Sequence, residues 1–444
     1  MNIALVHVLN KSKKYGLNKD LNGGLGTADN FGDSLAFGIL KRIRRKWVRI
    51  PIVEFAFLQS VLAEQGHAVS YFEGDLPQGD VDLVLLYGSL VDYQRENQVC
   101  QSLKEKLPKA KVGFWGPFPS RFPQLFDSGD FVLQGEPEAF FAHQFEHLDQ
   151  LKGHVAITSL ADMEALPAPS FDNFPIDQYR YLPAIVKRPF VALQASRGCP
   201  FSCRAYCAYG EYQGAKIRLR PARKVVDDIV RLKEQHRIKA IQFRDPLFGL
   251  HKPFVRELCE ELKRRNVQIE WGMETRLDLL DEENLRQMFA VGLRNINVGI
   301  ETPNAAIAKI NKRPLIEEQH QEHMIAFCKK LGVKVAAFYI LALEGDTEET
   351  IREAVQYAIK LNTYLARFSV ATPYPGTAFY DRLDRAGRIS TYDYEKYTQF
   401  HLVFEHENLS APQVRRLLEK AYLRYYCRPA YWAMFVKWKM KNWR

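Results

Sequence analysis

The feature that most constrains this chain is a repeated alternation between short apolar runs and segments with helical periodicity. Within residues 1–150 the apolar runs predict five strands, with two helical segments between them. Alternation at this spacing predicts a doubly wound parallel sheet with helices on both faces. The predicted strands are 3–8, 68–72, 83–86, 112–115 and 131–133, and the predicted helices are 53–65 and 96–107.

A second alternating series begins at Phe190 and predicts a partial (β/α)6 barrel. Such a barrel carries its chemistry at the carboxyl ends of the strands. The predicted strands are 191–196, 240–244, 269–274, 296–301, 335–341 and 367–372, and the helices are 225–235, 253–265, 282–290, 319–331 and 347–361. The sequence is therefore divided into an N-terminal domain (1–150), a proline-rich linker (151–190), the barrel (191–400) and a C-terminal helical region (401–444).

Composition narrows the class of protein. The 444 residues carry a formal charge of +10, which permits an anionic partner without requiring nucleic acid. No apolar run is long enough to span a membrane, and the N-terminus reads as a strand rather than a signal peptide. Seven cysteines are too few for a secreted disulfide scaffold. We therefore expect a cytoplasmic protein.

Three of the seven cysteines, Cys199, Cys203 and Cys207, fall within nine residues directly after a predicted strand. A closed zinc site needs four ligands, and no fourth Cys or His lies nearby. A 4Fe–4S cluster held by three cysteines leaves one iron open to a substrate or cofactor. The alternative is three buried thiols without a metal.

Several polar or glycine residues follow the strands of the N-terminal sheet. Ligands of doubly wound sheets bind beyond the carboxyl ends of the strands, and glycine allows a ligand to approach the backbone closely. Each site could equally be an ordinary turn between strand and helix. The candidate residues are Gly88, Ser89, Gly116, Gly135 and Glu136.

Two basic segments complete the pattern. The charge run 41–49 indicates a solvated helix face or a contact with an anionic surface. The tail, 405–444, is helical, basic and aromatic, with Trp432, Trp438 and Trp443 among its residues. That composition is typical of an interfacial membrane segment, but also of a terminal helix docked on a barrel.

The cysteine spacing resembles that of the radical S-adenosylmethionine (SAM) enzymes. Their usual loop has three residues between the first two cysteines, two between the last two, and an aromatic residue before the last. Tyr206 supplies the aromatic residue, but three residues separate Cys203 from Cys207, so that Ala205 resembles an insertion. The resemblance implies that the three cysteines hold a 4Fe–4S cluster.

Further elements of this resemblance follow in order along residues 155–400. Ala208-Tyr209-Gly210-Glu211 stands where the family has a Gly-Gly-Glu-like stretch, and Glu274-Thr275-Arg276 resembles its Glu-x-Arg element. Asn297–Thr302 resembles the Gly-Ile-Glu strand near the ribose. Phe338–Thr347, which contains Leu343, resembles the strand near adenine, with Glu344 in place of a proline. The resemblance implies that SAM is bound by Tyr209, Gly210, Glu211, Glu274, Arg276, Gly299, Glu301 and Leu343.

The upstream sheet and the Leu166-Pro167-Ala168-Pro169 linker resemble the cobalamin-binding subfamily. This implies cobalamin at the strand ends that carry Gly88, Ser89, Gly116, Gly135 and Glu136. The Asp-x-His-x-x-Gly motif is absent, so cobalamin would bind without a protein histidine.

The resemblance implies C-methylation at an unactivated carbon of a lipid-like or secondary-metabolite substrate. An electron donor such as flavodoxin or ferredoxin and peripheral membrane contact are expected partners, and nucleic acid is not. Three alternatives stay open: a cobalamin-dependent cyclase or rearrangement enzyme, an RNA methylthiotransferase-like enzyme, and a degenerate scaffold without activity. Against the second, the N-terminal domain has only Cys100 with which to hold another cluster.

Overall fold

The computed structural model describes residues 1–201, 203 and 206–442, without the side chains of 438, 439, 441 and 442. Its core contains two six-stranded parallel sheets. The first sheet has the order β2-β1-β3-β4-β5-β6. Its strands are β1 (Asn2–His7), β2 (Ala68–Glu73), β3 (Leu83–Tyr87), β4 (Lys111–Trp115), β5 (Phe131–Gln134) and β6 (Gly153–Ala156).

Helices cover both faces of this first sheet, as the sequence predicts. Leu5 and Leu85 point to one face and pack in the same apolar cluster as Phe55 of the helix Val53–Glu64. Val6 and Val84 point to the other face, in a cluster with Leu103 of the helix Tyr93–Lys106. Burial on both faces explains why these strands read as continuous apolar runs. The other helices here are Leu35–Trp47, Pro117–Arg121, Pro123–Phe126, Pro137–His143 and Leu148–Gln150.

The chain places β2 on one side of β1 and all later strands on the other side. The strand order therefore reverses between β1 and β3. Such a switch point opens the crevice in which doubly wound folds bind ligands. In this chain residues 17–28, which we call the crossing segment, lie at that point. The segment contains two short antiparallel strands, Leu17–Asn18 and Thr27–Ala28.

The sixth strand, β6, lies in the stretch predicted to be an extended linker. It pairs in parallel with β5, and three of its four residues are exposed. An exposed, short edge strand has no apolar run, so periodicity does not reveal it. The remaining linker contains the helix Ile176–Gln178 and the strand Arg180–Tyr181, which pairs with Val48–Arg49.

The second sheet has its strands in sequential order, which is the order of the predicted (β/α)6 partial barrel. The six predicted strands are all present, whereas the curvature of the barrel and the domain boundaries stay predictions. The strands are β7 (Phe190–Leu193), β8 (Ala240–Phe243), β9 (Glu270–Thr275), β10 (Leu293–Glu301), β11 (Lys334–Leu341) and β12 (Leu365–Val370). The helices are Tyr209–Tyr212, Ala222–His236, Lys252–Arg264, Leu277–Leu279, Glu282–Ala290, Ala305–Ile310, Glu318–Leu331, Glu348–Leu361, Ala378–Arg385 and Tyr394–Lys396.

The C-terminal region is helical, as predicted, and has two parts. The helix Ala411–Tyr426 docks on β12, where Tyr422 donates a hydrogen bond to the carbonyl of Phe368 (2.9 Å) and Tyr426 to that of Ala366 (2.7 Å). The last helix, Pro429–Asn442, follows it. Among the described residues, no helix has the length and apolar character needed to cross a membrane.

Candidate active site

The three cysteines lie in a loop (residues 198–208, the cysteine loop) that is anchored at its start. Gly198 has a φ of +97°, and a Cβ there would lie 2.2 Å from the carbonyl oxygen of Lys216, so only glycine fits. The buried carboxylate of Asp245 accepts hydrogen bonds from the Ala195 amide (2.9 Å) and the Ser196 hydroxyl (2.9 Å). Asp245 follows β8 and therefore fixes where the loop leaves β7.

The structure brings the three thiols close to one another. Burial raises the pKa of each thiol, to about 12 at Cys207, and the neighbouring thiols raise the pKa of Cys203 and Cys207 further. The Cys207 amide donates to the Cys203 carbonyl (3.0 Å), which holds the last two cysteines in one turn. The predicted insertion, Ala205, lies outside the described residues.

The donor set fits an iron–sulfur cluster better than a single ion. In the described part of the chain, no three His, Cys, Asp or Glu side chains close around one metal ion. A 4Fe–4S cluster places each cysteine on a different iron, so its three thiols surround a larger group. Three neighbouring thiols without a fourth protein ligand match that requirement.

Arg276 borders the cysteine loop and keeps one donor open. Its Nε and Nη2 donate to Asp278 (2.9 and 2.7 Å), while the buried Nη1 has no hydrogen-bond partner among the described residues. The guanidinium lies 4.4 Å from the ring centroid of Phe201, and its charge acts on Cys199 and Cys203. An oriented guanidinium with a free N–H suits a carboxylate ligand.

Glu301 and Gly299 meet an arginine that sequence reasoning missed. Arg313 Nη2 donates to the carbonyl of Gly299 (2.6 Å), and its Nη1 lies 3.7 Å from Glu301 Oε1. A Cβ at Gly299 would lie 2.2 Å from the same carboxylate oxygen, so a larger residue there would displace the Glu301 carboxylate. Burial raises the pKa of Glu301, and the charge of Arg313 opposes that shift. A lone arginine twelve residues past the strand gave no signal in the sequence.

The remaining predicted SAM residues occupy different surroundings. In the short helix after Cys207, Gly210 is buried, Tyr209 is half-buried and Glu211 is exposed. Leu343 is buried just beyond the end of β11, where its amide donates to Asp346 (2.9 Å) and its carbonyl contacts His406 (2.9 Å).

Glu274 takes part in an ion-pair chain that joins the barrel to the crossing segment. Its carboxylate accepts from Arg244 and lies 3.3 Å from the Asn297 amide nitrogen. Arg244 Nε in turn lies 2.8 Å from Asp20 of the crossing segment. Asp20 Oδ1 and Arg244 Nη2 lack a hydrogen-bond partner within the described ranges. Burial raises the pKa of Asp20 to about 6, although Arg244 lowers it.

These unpartnered atoms border a cavity between the two sheets. It holds about 240 Å³ of space free of protein atoms and is lined by Asp20, Gly23, Val53, Glu54, Gln194, Tyr209, Gln213 and Arg244. Buried polar atoms without partners indicate a polar ligand or water in such a space. That figure includes space open to solvent; only about 10 Å³ is accessible to the centre of a water-sized sphere, which is room for about one water molecule.

The predicted cobalamin glycines pack against protein atoms. A Cβ at Gly88 would lie 2.3 Å from Pro119, one at Gly116 2.9 Å from the Gly88 carbonyl, and one at Gly135 2.9 Å from Ile157. These contacts explain the glycines without a ligand, and their role toward cobalamin stays a prediction.

The two polar candidates beside these glycines also have protein partners. Ser89 donates its amide and hydroxyl to Glu96 (both 2.7 Å). Glu136 pairs with Arg218 (2.6 Å). Their part in binding cobalamin is likewise untested.

Comparison with known proteins defines the class. Residues 193–358 match the family model "Radical SAM superfamily", which spans the cysteine loop, Glu274, Arg276 and Glu301. The chain is therefore an enzyme with a radical SAM domain at residues 193–358, and such domains use a 4Fe–4S cluster and SAM.

Relatives with assigned names extend over both domains. The uncharacterized methyltransferase PH0819 of Pyrococcus horikoshii is 26% identical over 85% of this chain and 88% of its own length. The anaerobic magnesium-protoporphyrin IX monomethyl ester cyclase of Rubrivivax gelatinosus is 26% identical over 68% of this chain, and the hopanoid C-3 methylase of Methylococcus capsulatus is 26% identical over 69%. The matches cover only 58% and 61% of those two proteins.

Two solved structures share the fold. The radical SAM methyltransferase TsrM from Kitasatospora setae, with cobalamin and a [4Fe-4S] cluster bound, superposes with a TM-score of 0.63 at 14% identity, over 88% of this chain and 79% of TsrM. The cobalamin-dependent radical enzyme OxsB, with aqua-cobalamin bound, gives 0.58 at 15% identity, over 95% of this chain and 61% of OxsB. These superpositions confirm the α/β architecture.

Replacing Arg276 with alanine should lower formation of 5′-deoxyadenosine from SAM by about ten- to hundredfold, because a charge-assisted hydrogen bond to a carboxylate is lost. The melting temperature should change little, since Asp278 remains partly exposed to water. The matched control is Arg286→Ala, which removes an exposed arginine paired with Glu282. Normal deoxyadenosine formation by R276A would contradict the assignment.

Proposed function

We propose that this radical SAM enzyme is a cobalamin-dependent C-methyltransferase that acts on an unactivated carbon of a lipid-like or secondary-metabolite substrate. The observation that carries the proposal is the position of the switch point of the first sheet. The crossing segment at that point contacts Arg244 and Tyr209 of the barrel, and Arg244 also pairs with Glu274. A cofactor at the switch point would therefore adjoin the SAM site.

The names of similar proteins agree with this reaction class. PH0819, the hopanoid methylases and TsrM are named methyltransferases or methylases, and TsrM and OxsB hold cobalamin. The hopanoid enzymes favour a lipid-like substrate for this chain as well, and peripheral membrane contact would give access to it.

The cofactors supply the difficult chemistry: the cluster and SAM together supply a carbon-centred radical, and a methylated corrinoid supplies the methyl group. The chain's own residues bind and orient. Cys199, Cys203 and Cys207 would hold the cluster, and Arg276 Nη1 would donate to the SAM carboxylate. Asp245 acts indirectly: its hydrogen bonds to Ala195 and Ser196 position the start of the cysteine loop.

The cavity between the sheets fits cobalamin in its polar lining but not in its volume. The cavity has room for only about one water molecule and therefore cannot hold a corrinoid, because Asp20 and Gly23 of the crossing segment occupy one of its walls. We therefore infer that cobalamin enters with displacement of residues 17–28, which would break the Asp20–Arg244 contact.

Hydroxocobalamin should bind to the anaerobically purified protein with a stoichiometry of about one per chain, since one switch point exists per doubly wound sheet. Absorption spectra of protein separated from free corrinoid measure the uptake. The variant Asp20→Asn, which removes the charge facing Arg244, should bind at least as well because the crossing segment opens more readily. Folded protein without uptake would contradict the proposal and leave a cobalamin-free radical SAM enzyme.

The alternative of a cobalamin-dependent cyclase or rearrangement enzyme is supported by the similarity to the Rubrivivax cyclase. The two reactions differ in what they make from SAM. A methyltransferase forms both S-adenosylhomocysteine and 5′-deoxyadenosine during turnover, whereas a cyclase forms deoxyadenosine without methyl transfer. Chromatography of both products from the reconstituted, reduced enzyme separates them. The electron donor, flavodoxin or ferredoxin, stays a prediction.

A further inference from the structure

The helix Leu35–Trp47 exposes an apolar face that nothing in the described protein covers. Leu35 is 85% exposed and Ile39 55%, and Ile43 and Trp47 continue the same i, i+4 series with 38% and 41%. With Leu40 these side chains fall within an arc of about 140° at 3.6 residues per turn. The opposite face holds the one buried residue, Phe37. The helix is thus turned with its apolar face to the outside.

Charge accompanies this exposed face. The helix carries five basic residues and no acidic one. Arg42 and Lys46 lie at the edge of the apolar arc and are exposed. A basic helix with an exposed apolar face matches the composition of helices that lie in the interface of an anionic membrane. The sequence offers two interpretations of residues 41–49, a solvated helix face or a contact with an anionic surface, and the exposed apolar face supports the second.

The last helix adds a second exposed apolar series. Trp432, Val436 and Met440 recur every four residues and are 54%, 50% and 76% exposed. Lys437 lies between them and is also exposed. Trp at such a position suits the boundary between water and lipid.

A row of aromatic rings connects the two helices. Phe37 meets Tyr422 of the helix Ala411–Tyr426 edge-on at 6.3 Å between centroids. Tyr422 stacks on Tyr426 at 6.2 Å, and Tyr426 meets Tyr431 of the last helix at 4.8 Å. The helix between them exposes Leu423 on its own surface. The two apolar series therefore belong to helices that are joined through packed aromatic rings.

We propose that the helices Leu35–Trp47 and Pro429–Asn442 form one docking face for an anionic lipid bilayer. Apolar side chains of both helices enter the interface, while Arg42, Lys46 and Lys437 contact the headgroups. Segments close to both ends of the chain thus build the same surface. The inference rests on exposure, charge and contacts, and does not depend on the proposed methyl transfer.

Vesicle flotation of the full-length protein tests this face. We expect the protein to float with phosphatidylcholine vesicles that contain phosphatidylglycerol, to stay down with phosphatidylcholine alone, and to be released by high salt. The double variant Ile39→Glu/Ile43→Glu should bind about tenfold more weakly or worse, because two apolar side chains no longer enter the bilayer. Trp432→Glu/Val436→Glu should weaken binding comparably.

The matched control is the double variant Leu160→Glu/Leu315→Glu, which places the same two charges on comparably exposed leucines (52% and 49%) outside both helices. It should float like the parent. Point variants are needed because the helix Ala411–Tyr426 is part of the fold, so a truncation at residue 410 would remove its contacts with β12.

Three outcomes would overturn the proposal. The parent protein does not float, or either double variant floats like the parent. The third is a concentration-dependent dimer, seen by light scattering, that I39E/I43E abolishes, since the face would then join two copies of this chain. None of these readouts involves turnover, so failure of the proposed reaction leaves the result unaffected.

Discussion

Replacement of Cys199, Cys203 and Cys207 by alanine should reduce the iron bound after anaerobic reconstitution from about four per chain to the background of a cluster-free protein. The structure places the three thiols within each other's electrostatic reach, in a loop fixed by Gly198 and Asp245. Iron analysis and the absorption of the sulfide-to-iron charge-transfer band measure the loss. Formation of 5′-deoxyadenosine should vanish together with the iron.

The matched control replaces three other cysteines, Cys100, Cys259 and Cys328, which are buried and lie apart from the site. That variant should keep its iron, because none of the three belongs to the loop. Unchanged iron in the site variant would show that the loop is not the cluster site. The parent protein tests the effect of Ala205. If the parent carries a full cluster, the longer spacing between Cys203 and Cys207 is compatible with cluster binding. A parent protein that binds no iron would favour the degenerate scaffold.

The strands could be predicted from sequence because their environment is uniform. β1 and β3 are buried on both faces, so their apolar residues form continuous runs between turn residues. The same reasoning fails for β6, which is exposed and carries Gly153 and His154 at its start. β10 begins at Leu293, three residues before its apolar pattern, since Arg294 and Asn295 interrupt the periodicity.

Candidate site residues that follow a strand in a recognisable pattern could be proposed from the sequence, whereas residues that reach the same region from distant parts of the chain could not. Cys199, Cys203 and Arg276 carry their signal in local spacing. Arg313 reaches Glu301 from a loop beyond a short helix, and Lys19 reaches Glu96 across 77 positions. Such pairs are set by the tertiary fold, and a single sequence contains no local trace of them.

Glycines at strand ends show a further limit of sequence reasoning. In the sequence, Gly88, Gly116 and Gly135 are equally consistent with a sheet edge that binds a ligand and with a sheet edge that packs tightly against protein atoms. The structure shows the packing: Pro119, the Gly88 carbonyl and Ile157 occupy the space that a Cβ would need. A glycine pattern reports that something lies close to the backbone, but does not identify it.

The crossing segment is held at the switch point by a buried charge cluster. Lys19 Nζ lies 2.6 Å from Glu96, 2.9 Å from Asp92 and 2.7 Å from the Val8 carbonyl. Burial lowers the pKa of Lys19, but the two carboxylates raise it by more. Burial raises the pKa of Glu96 to about 7, with Lys19 opposing the shift. Lys19 thus compensates two carboxylates that have little access to water.

Replacing Lys19 with methionine should destabilise the protein by about 3–5 kcal/mol near pH 8, because removal of one partner leaves buried carboxylates uncompensated. The sign of the pH dependence follows from Glu96. A carboxyl whose folded pKa is raised contributes stability below its ordinary value of 4.5, and that stability is lost as pH rises toward 7. Without Lys19 the folded pKa of Glu96 rises further, so the deficit of the variant should grow with pH and be smallest below about pH 4.5.

Denaturant unfolding of both proteins across this pH range measures the effect. The matched control is Lys13→Met, whose ammonium makes a partly exposed pair with Glu395 (3.0 Å) and should cost at most about 1 kcal/mol. If K19M also takes up hydroxocobalamin more readily than the parent, the crossing segment is the barrier to the corrinoid. If the stability difference between K19M and the parent is independent of pH, Lys19 does not stabilise the ionised form of Glu96. The buried charge cluster would then not hold the crossing segment over the crevice.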